Sequence, residues 1–322
     1  MSRGTPVLRR GRGLGDRHIE GIAAAVRHCQ RPATRRAYAG AWKRFCAWAE
    51  AEGLESLPAE PLTVAAYLVQ RAGDGRSMAT LAMDRKAISH SHRAAGHPTP
   101  TASEGVRQTF AGLRNLAAEE GRNEPRQARG MTAEALEAIR RTAHIPRSGP
   151  TGRTESADKA RRRGDADIAI ASVMRDALLR RSEAAALRWG SVRFRRDGTA
   201  RVTVRRSKTS AAPVLLYVGP RAAAALRRIR PEDAPPNDRV FGLRTGRAIS
   251  CRLAAMAKAA GLGDGFSGHS PRVGMAQDLS AAGTGLSALM VAGRWKSERM
   301  PAHYSRAETA GRGAVARFYE DE

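Results

Sequence analysis

The 322 residues carry 56 lysines and arginines against 31 aspartates and glutamates, a formal charge of +25. That length has room for about two domains, and such a surplus marks a polyanionic partner, either nucleic acid or an anionic membrane surface. No apolar run nears the roughly 20 residues that cross a bilayer, and Arg3, Arg9, Arg10 and Arg12 have no apolar stretch behind them, so neither a spanning helix nor a secretory signal is expected.

Lysine occurs only at 43, 86, 159, 208, 258 and 296, so the positive charge is almost all arginine. A genome's base composition can favour Arg over Lys, but it does not produce a surplus over the acids. Cys29, Cys46 and Cys251 have neither metal nor disulfide spacing and read as reduced packing residues of a cytoplasmic protein.

Residues 1–15 are rich in Gly and Arg and read as a disordered basic tail. From residue 16 to 120 the pattern is helical. Ile19, Ile22, Ala23 and Val26 share one face, and Pro32 opens a long helix in which Tyr38, Trp42, Phe45 and Ala49 recur at helical spacing as far as Gly53. Its opposite face carries Arg35, Arg36, Lys43 and Arg44, which by themselves read as a solvated charged face. A run from Pro61 through Val69 follows, then a helix from Ser77 to about Ala95 and another from about Ser103 to Ala118. Short loops and no strand signal make this a helical bundle. His90, His92 and His97 lie close in sequence, but no second cluster completes a metal site, so they read as helix surface.

Residues 121–130 are polar, bear Gly and Pro, and lack periodicity, as expected of a linker to a second domain at 131–322. There Thr132 caps a helix containing Leu136 and Ile139, and Pro146 to Gly164 reads as a long polar loop. Asp165-x-Asp167 reads as the start of an amphipathic helix through Ile168, Ala171, Met174 and Leu178, which runs into Leu179-Arg180-Arg181-Ser182-Glu183. The one β region follows: Val192–Phe194, Arg201–Val204 and Val214–Val218, with Asp197-Gly198 as a hairpin turn. Between the last two strands stands Lys208, the sole lysine of that region. Pro220 opens another helix, Val240-Phe241 reads as a short buried strand, and Ala248 to Ala260 as a helix. The expected class is mainly α, a helical bundle followed by a mixed α/β domain with a small antiparallel sheet.

The stretch from Gly268 to Tyr304 holds the densest chemistry. Ser270 and Pro271 suit the N-cap and first position of a helix running to about Ala282, which puts His269 and Arg272 where both can face one anion. Gly283-x-Gly285 breaks that helix, Leu286, Leu289 and Met290 resume helical spacing, and Gly293-Arg294-Trp295 leads to Ala302-His303-Tyr304. Past it, Ala310, Ala314, Val315 and Phe318 form one stripe of a terminal helix over 308–319.

His-x-x-Arg, a Trp after a Gly-rich step and a Tyr nine positions later resemble the C-terminal motif of tyrosine site-specific recombinases, the phage integrase family. Trp295 after Ala-Gly-x resembles the Cre recombinase branch; most members carry His there. Upstream, Leu-Arg-x-x-Glu is similar to the family's first catalytic motif, which implies roles for Arg180 and, as its acidic partner, Glu183. Register with Glu183 favours Arg180 over Arg181. Arg206–Ser210 resembles the family's lysine-bearing β-hairpin, which implies Lys208 as the cation reaching the scissile phosphate. The 16–120 bundle resembles the core-binding domain, with Arg35, Arg36, Lys43, Arg44 and Lys86 as candidate DNA contacts.

The resemblance implies DNA transesterification. Tyr304 attacks phosphorus, leaving a 3′-phosphotyrosine and a free 5′-hydroxyl. Arg180, Arg272 and the Trp295 N–H hold the non-bridging oxygens, Lys208 protonates the leaving oxygen, and His269 takes the phenolic proton or donates. No metal or other cofactor is implied. The partner implied is double-stranded DNA with inverted-repeat half-sites, bound by a dimer and synapsed by a tetramer. Two competing readings share these residues: a nicking-closing enzyme like type IB topoisomerases, and a non-catalytic DNA-binding descendant of a recombinase. Pro301, three residues before Tyr304, is expected to break or restart a helix.

Overall fold

Proline at the start of a helix sacrifices no hydrogen bond, and α1 (Pro32–Ala51) and α2 (Pro61–Gly73) both begin on one. The serines at 77 and 103 start the next two: their hydroxyls accept from the Thr80 and Val106 amides and cap α3 (Met78–Ala94) and α4 (Glu104–Glu119). The computed structural model describes residues 31–122, 127–149, 151–205 and 212–304, with Arg17, His18, Glu20, Gly21 and Ala25. The tail at 1–15, Cys29, Lys208 and the stretch 308–319 lie outside the described residues. The chain divides into two units, Met1–Arg126 and Gln127–Glu322.

In the first unit, Phe45, Val64, Tyr67, Leu68, Leu81, Ile88, Val106 and Phe110 form one buried cluster. Each such side chain contributes roughly 1.5–3 kcal/mol by leaving water. Two polar groups are wholly buried beside it. Asp84 accepts from Arg44 at 3.0 Å and from Arg71 at 3.4 Å. Arg44 is thus ion-paired to α3 while its side chain stays half exposed, and Arg35, Arg36, Lys43 and Lys86 are exposed as well.

His92 also corrects the surface expectation, because it is fully buried. Its Nδ1–H donates to the Ile88 carbonyl and its Nε2 accepts from the Ala59 amide, both at 2.9 Å. Burial, aided by His97, pushes its pKa below the ordinary value against the Ile88 bond. The unfolded chain protonates near pH 6.5 while the folded unit resists. The stability present above that pH is accordingly lost as pH falls through the lower folded value. Thermal melts from pH 7 to 5 should show this loss, and His92→Gln should flatten it. His92→Ala should cost roughly 2–4 kcal/mol at pH 7, by cavity and by a stranded Ala59 amide.

The second unit is built around α6 (Ala157–Asp176), in which every residue from Asp167 to Arg175 is buried. A stretch buried on every side belongs in a core, and α5 (Ala133–Thr142), α8 (Pro220–Ile229) and α9 (Gly246–Ala259) pack around it. The helix starts at Ala157, capped by the Ser156 hydroxyl, so the expected loop is helical from Ala157 onward and Asp165-x-Asp167 lies mid-helix. Asp167, fully buried, pairs with Arg147, Arg163 and Arg252 and ties the 143–156 connection to α6 and α9.

The strands β1 (Val192–Phe194), β2 (Ala200–Val204) and β3 (Val214–Val218) form an antiparallel sheet in that order. Their register aligns Arg193, Arg201 and Tyr217 on the open face, while Val202, Val204 and Val218 enter the core. Val240 and Phe241 are buried as expected but form a turn, with Val240 N–H held by the Leu187 carbonyl at 3.0 Å. Cys46 is half-buried and Cys251 is exposed, so the latter is no packing residue. Among the described residues, no helix is long and apolar enough to cross a membrane, and no group of three His, Cys, Asp or Glu converges to hold a metal.

Candidate active site

Three short segments of the second unit meet at one place. The first is the turn from Leu178 into α7 (Arg181–Ala186), the second α10 (Ser270–Ala281), and the third α11 (Leu286–Gly293) with α12 (Arg299–Tyr304). Glycine lets α10 approach closely: a Cβ on Gly274 would strike the Met131 backbone. Asp278 of α10 then accepts from the Ala133 amide at 2.8 Å and pairs with Arg175 at 2.6 Å, anchoring the helix to α5 and α6.

His269, not Ser270, is the N-cap of α10. The Ser270 hydroxyl is fully buried and instead accepts from the Ser267 amide at 2.8 Å, bracing the approach loop. Arg272 follows in the first turn with only 1% exposure. Its terminal nitrogens donate to the carbonyls of Leu178 and Gly293, and its guanidinium carbon lies 4.4 Å from the centre of the Trp295 ring. Two carbonyls and an aromatic face fix both the position and the plane of this cation. Burial, then the fields of Arg180 and Arg294, push its pKa down to about 9, against Glu183 and Tyr304. It is still charged at neutral pH.

Arg180 is the N-cap of α7. Its Nη1 donates to Glu183 at 2.9 Å, and its backbone N–H donates to the other oxygen of the same carboxylate at 3.0 Å. Glu183 is buried; hydrogen bonds from Arg180 and Arg294 hold its carboxyl below the ordinary range despite desolvation. The sequence pointed to this Arg–Glu pair, but not to Arg294, whose guanidinium donates to both Glu183 oxygens, at 3.2 and 2.9 Å, and to the Leu178 carbonyl at 3.1 Å. Three guanidinium groups thus surround one carboxylate, leaving two positive charges in excess.

Tyr304 ends α12 and is 3% exposed, packed on Val273, Ala276 and Trp295. Its ring centre is 5.8 Å from that of Trp295, 6.3 Å from His269 and 6.1 Å from His303. Burial raises the phenol's pKa, while Arg272 and Arg180 lower it. Pro301 does not break the helix that presents it. It occupies the third position of α12, where amides have no intrahelical acceptor, and the first such bond runs from Ala302 N–H to the Glu298 carbonyl at 2.9 Å. The structure thus brings Arg180, Glu183, His269, Arg272, Trp295 and Tyr304 together; Lys208 lies outside the described residues.

The span 155–310 matches the model of the phage integrase family. No curated protein sequence matches the chain. Among solved structures, the chain is similar to the Tn1549 transposon integrase in complex with transposon right end DNA, at a TM-score of 0.58 and 12% identity over 92% of this chain and 98% of that one. It is also similar to a lambda integrase (75–356) dimer bound to a COC′ core site (TM-score 0.55, 16% identity, 90% and 93% covered). A lambda integrase tetramer bound to a Holliday junction gives a TM-score of 0.57 at 18% identity, over 90% of this chain and 75% of that one. At such identities the likeness is one of fold. The buried arginines, the indole and the phenol all lie within the matched span, and residues 155–310 form a domain of the phage integrase family.

Proposed function

We propose that this chain is a site-specific DNA recombinase that cuts and rejoins strands through a 3′-phosphotyrosine. The observation that carries this is a buried phenol beside a site with two excess positive charges, one of them on a guanidinium already desolvated and fixed in plane. Such a site lacks one partner of the right charge. A phosphodiester supplies one negative charge, and its pentacoordinate transition state supplies a second on the non-bridging oxygens.

In the proposed step the Tyr304 Oη–phosphorus bond forms and the phosphorus–O5′ bond breaks. The phenolic proton passes to His269 or to solvent, and the departing 5′-oxygen gains a proton from Lys208. Arg180 and Arg272 hold the non-bridging oxygens, with the Trp295 N–H as a further donor. The covalent link keeps the phosphoryl bond energy, so the reverse attack by a 5′-hydroxyl of another strand needs no nucleotide. Trp295 in the usual His position supports a Cre-like branch. The DNA-bound dimer and tetramer among the similar structures support assembly as a dimer and a tetramer on DNA; inverted-repeat half-sites would suit such a symmetric assembly. The 16–120 bundle, with Arg35, Arg36, Lys43 and Lys86, would grip the duplex, and such an enzyme would act in the cytoplasm.

Nicked duplex DNA tests the proposal, because the short strand released by cleavage diffuses away and traps the enzyme on DNA. Labelled DNA that stays with the protein in denaturing detergent, and recombined product from a plasmid carrying two copies of the trapped site, are the expected results. Relaxation of supercoils without exchange would favour nicking-closing, and binding without trapping a non-catalytic role. Because burial holds the phenol protonated, the trapping rate should rise with pH from 6 upward. A flat profile would remove phenol ionisation from the mechanism.

A further inference from the structure

Two non-glycine residues with positive φ occur among the described residues, Leu178 at 41° and Arg294 at 56°, and both face the Arg272 guanidinium. Arg294 closes α11 in the left-handed conformation: its N–H bonds the Val291 carbonyl at 3.1 Å and that of Trp295 bonds Met290 at 3.0 Å, the paired pattern of a Schellman end. Glycine is the residue that adopts this conformation without strain; a residue with a Cβ gives up about 1–2 kcal/mol there. A glycine stands one position earlier, but it is needed at 293, where a Cβ would run into the Trp295 ring. The strained position therefore falls to an arginine, and its side chain is used in full.

That side chain is only 10% exposed. It turns back across the site to donate twice to Glu183 and once to the Leu178 carbonyl, while the Arg294 carbonyl accepts from Arg180 Nη2 at 3.5 Å. The Leu178 carbonyl also takes Arg272, and the Gly293 carbonyl takes the other arm of Arg272. One residue thus links the Arg180–Glu183 turn, through both backbone and side chain, to the segment that carries Trp295 and leads to Tyr304.

We infer that Arg294 is a positioning residue for strand cleavage: through Glu183 and Leu178 it sets Trp295, Arg180 and Arg272 in register before DNA arrives. The inference rests on the recombinase reading above. Of the three guanidinium groups, Arg294 is the one whose two terminal nitrogens both go to the Glu183 carboxylate, so its charge is spent on that carboxylate and not on phosphate. Its remaining role is to share Glu183 with Arg180, so that the carboxylate orients Arg180 without cancelling it. The fork geometry is required, because a lysine ammonium is a point charge that cannot bridge two carboxylate oxygens and a carbonyl in one plane.

Arg294→Gly separates positioning from folding, since glycine relaxes the left-handed backbone while deleting the fork. The probe is a pool of random-sequence duplexes nicked at low density, scored by label retained on denatured protein. Expected for Arg294→Gly are a melting temperature within a few degrees of wild type, duplex affinity within about threefold, and an adduct-forming rate lower by about 10–100-fold. That range lies below the ~10²–10³-fold typical of losing a direct transition-state donor. Arg294→Lys should recover only a minor part. Combined with Glu183→Gln, it should be no slower than the slower single variant, because the two act as one unit. Wild-type rates in Arg294→Gly, full rescue by Lys, multiplicative losses with Glu183→Gln, or a loss matched by melting temperature would each overturn the inference. A wild-type chain that traps no DNA sinks the recombinase reading instead, so the two failures are distinct.

Discussion

Tyr304→Phe should bind duplex DNA as tightly as the parent, with the same steep fall in affinity as salt rises, and should form no covalent adduct at any time point. The replacement removes one oxygen and keeps the ring that packs on Val273, Ala276 and Trp295, so the site keeps its shape. The guanidinium groups that attract phosphate are untouched, and the salt slope counts phosphate contacts, not chemistry. Only the bond-forming atom is missing. Binding by filter retention across a salt series, with adduct yield on nicked duplex in parallel, checks both halves. An adduct at the parental yield would show that another residue is the nucleophile.

Arg272→Ala should lower the adduct-forming rate by at least ~10²–10³-fold, the range typical of losing a single preorganised donor. This side chain is the most constrained cation of the site, held by the Leu178 and Gly293 carbonyls and by the Trp295 face. Arg272→Lys should fare little better, since an ammonium cannot span both carbonyls and lie flat on an indole. The effect on stability is a balance. The variant is spared a desolvated charge, which favours folding, but leaves a cavity and the Gly293 carbonyl without its donor, while the Leu178 carbonyl keeps Arg294. Rates compared with melting temperatures separate the two effects: a rate loss far exceeding any shift in melting supports the assignment, and equal rates would remove Arg272 from the chemistry.

Expectations from sequence held where local chemistry is decisive. Prolines at 32 and 220 and the threonine at 132 open helices, and Asp197-Gly198 turns a hairpin whose Asp197 carboxylate accepts from the Thr199 amide at 3.0 Å. They failed where a polar residue has a distant partner. The first turns of α6 looked like loop because charge dominates them, and Asp167 looked like a helix start although three arginines, one of them 85 positions away, satisfy it inside the helix. His92 looked exposed because nothing nearby in sequence reveals that the Ala59 amide, 33 residues upstream, donates to it.

Charge surplus, helical and strand periodicity, and the order Arg180, Glu183, His269, Arg272, Trp295, Tyr304 were legible in the chain alone, since composition, spacing and capping are local properties. The tertiary structure alone decided which of these groups are desolvated, which carbonyls hold them, and that an arginine at 294 takes a backbone conformation suited to glycine and closes over Glu183. Burial and a shared carboxylate are created only when segments more than a hundred residues apart are packed together, and no window of sequence contains that distance.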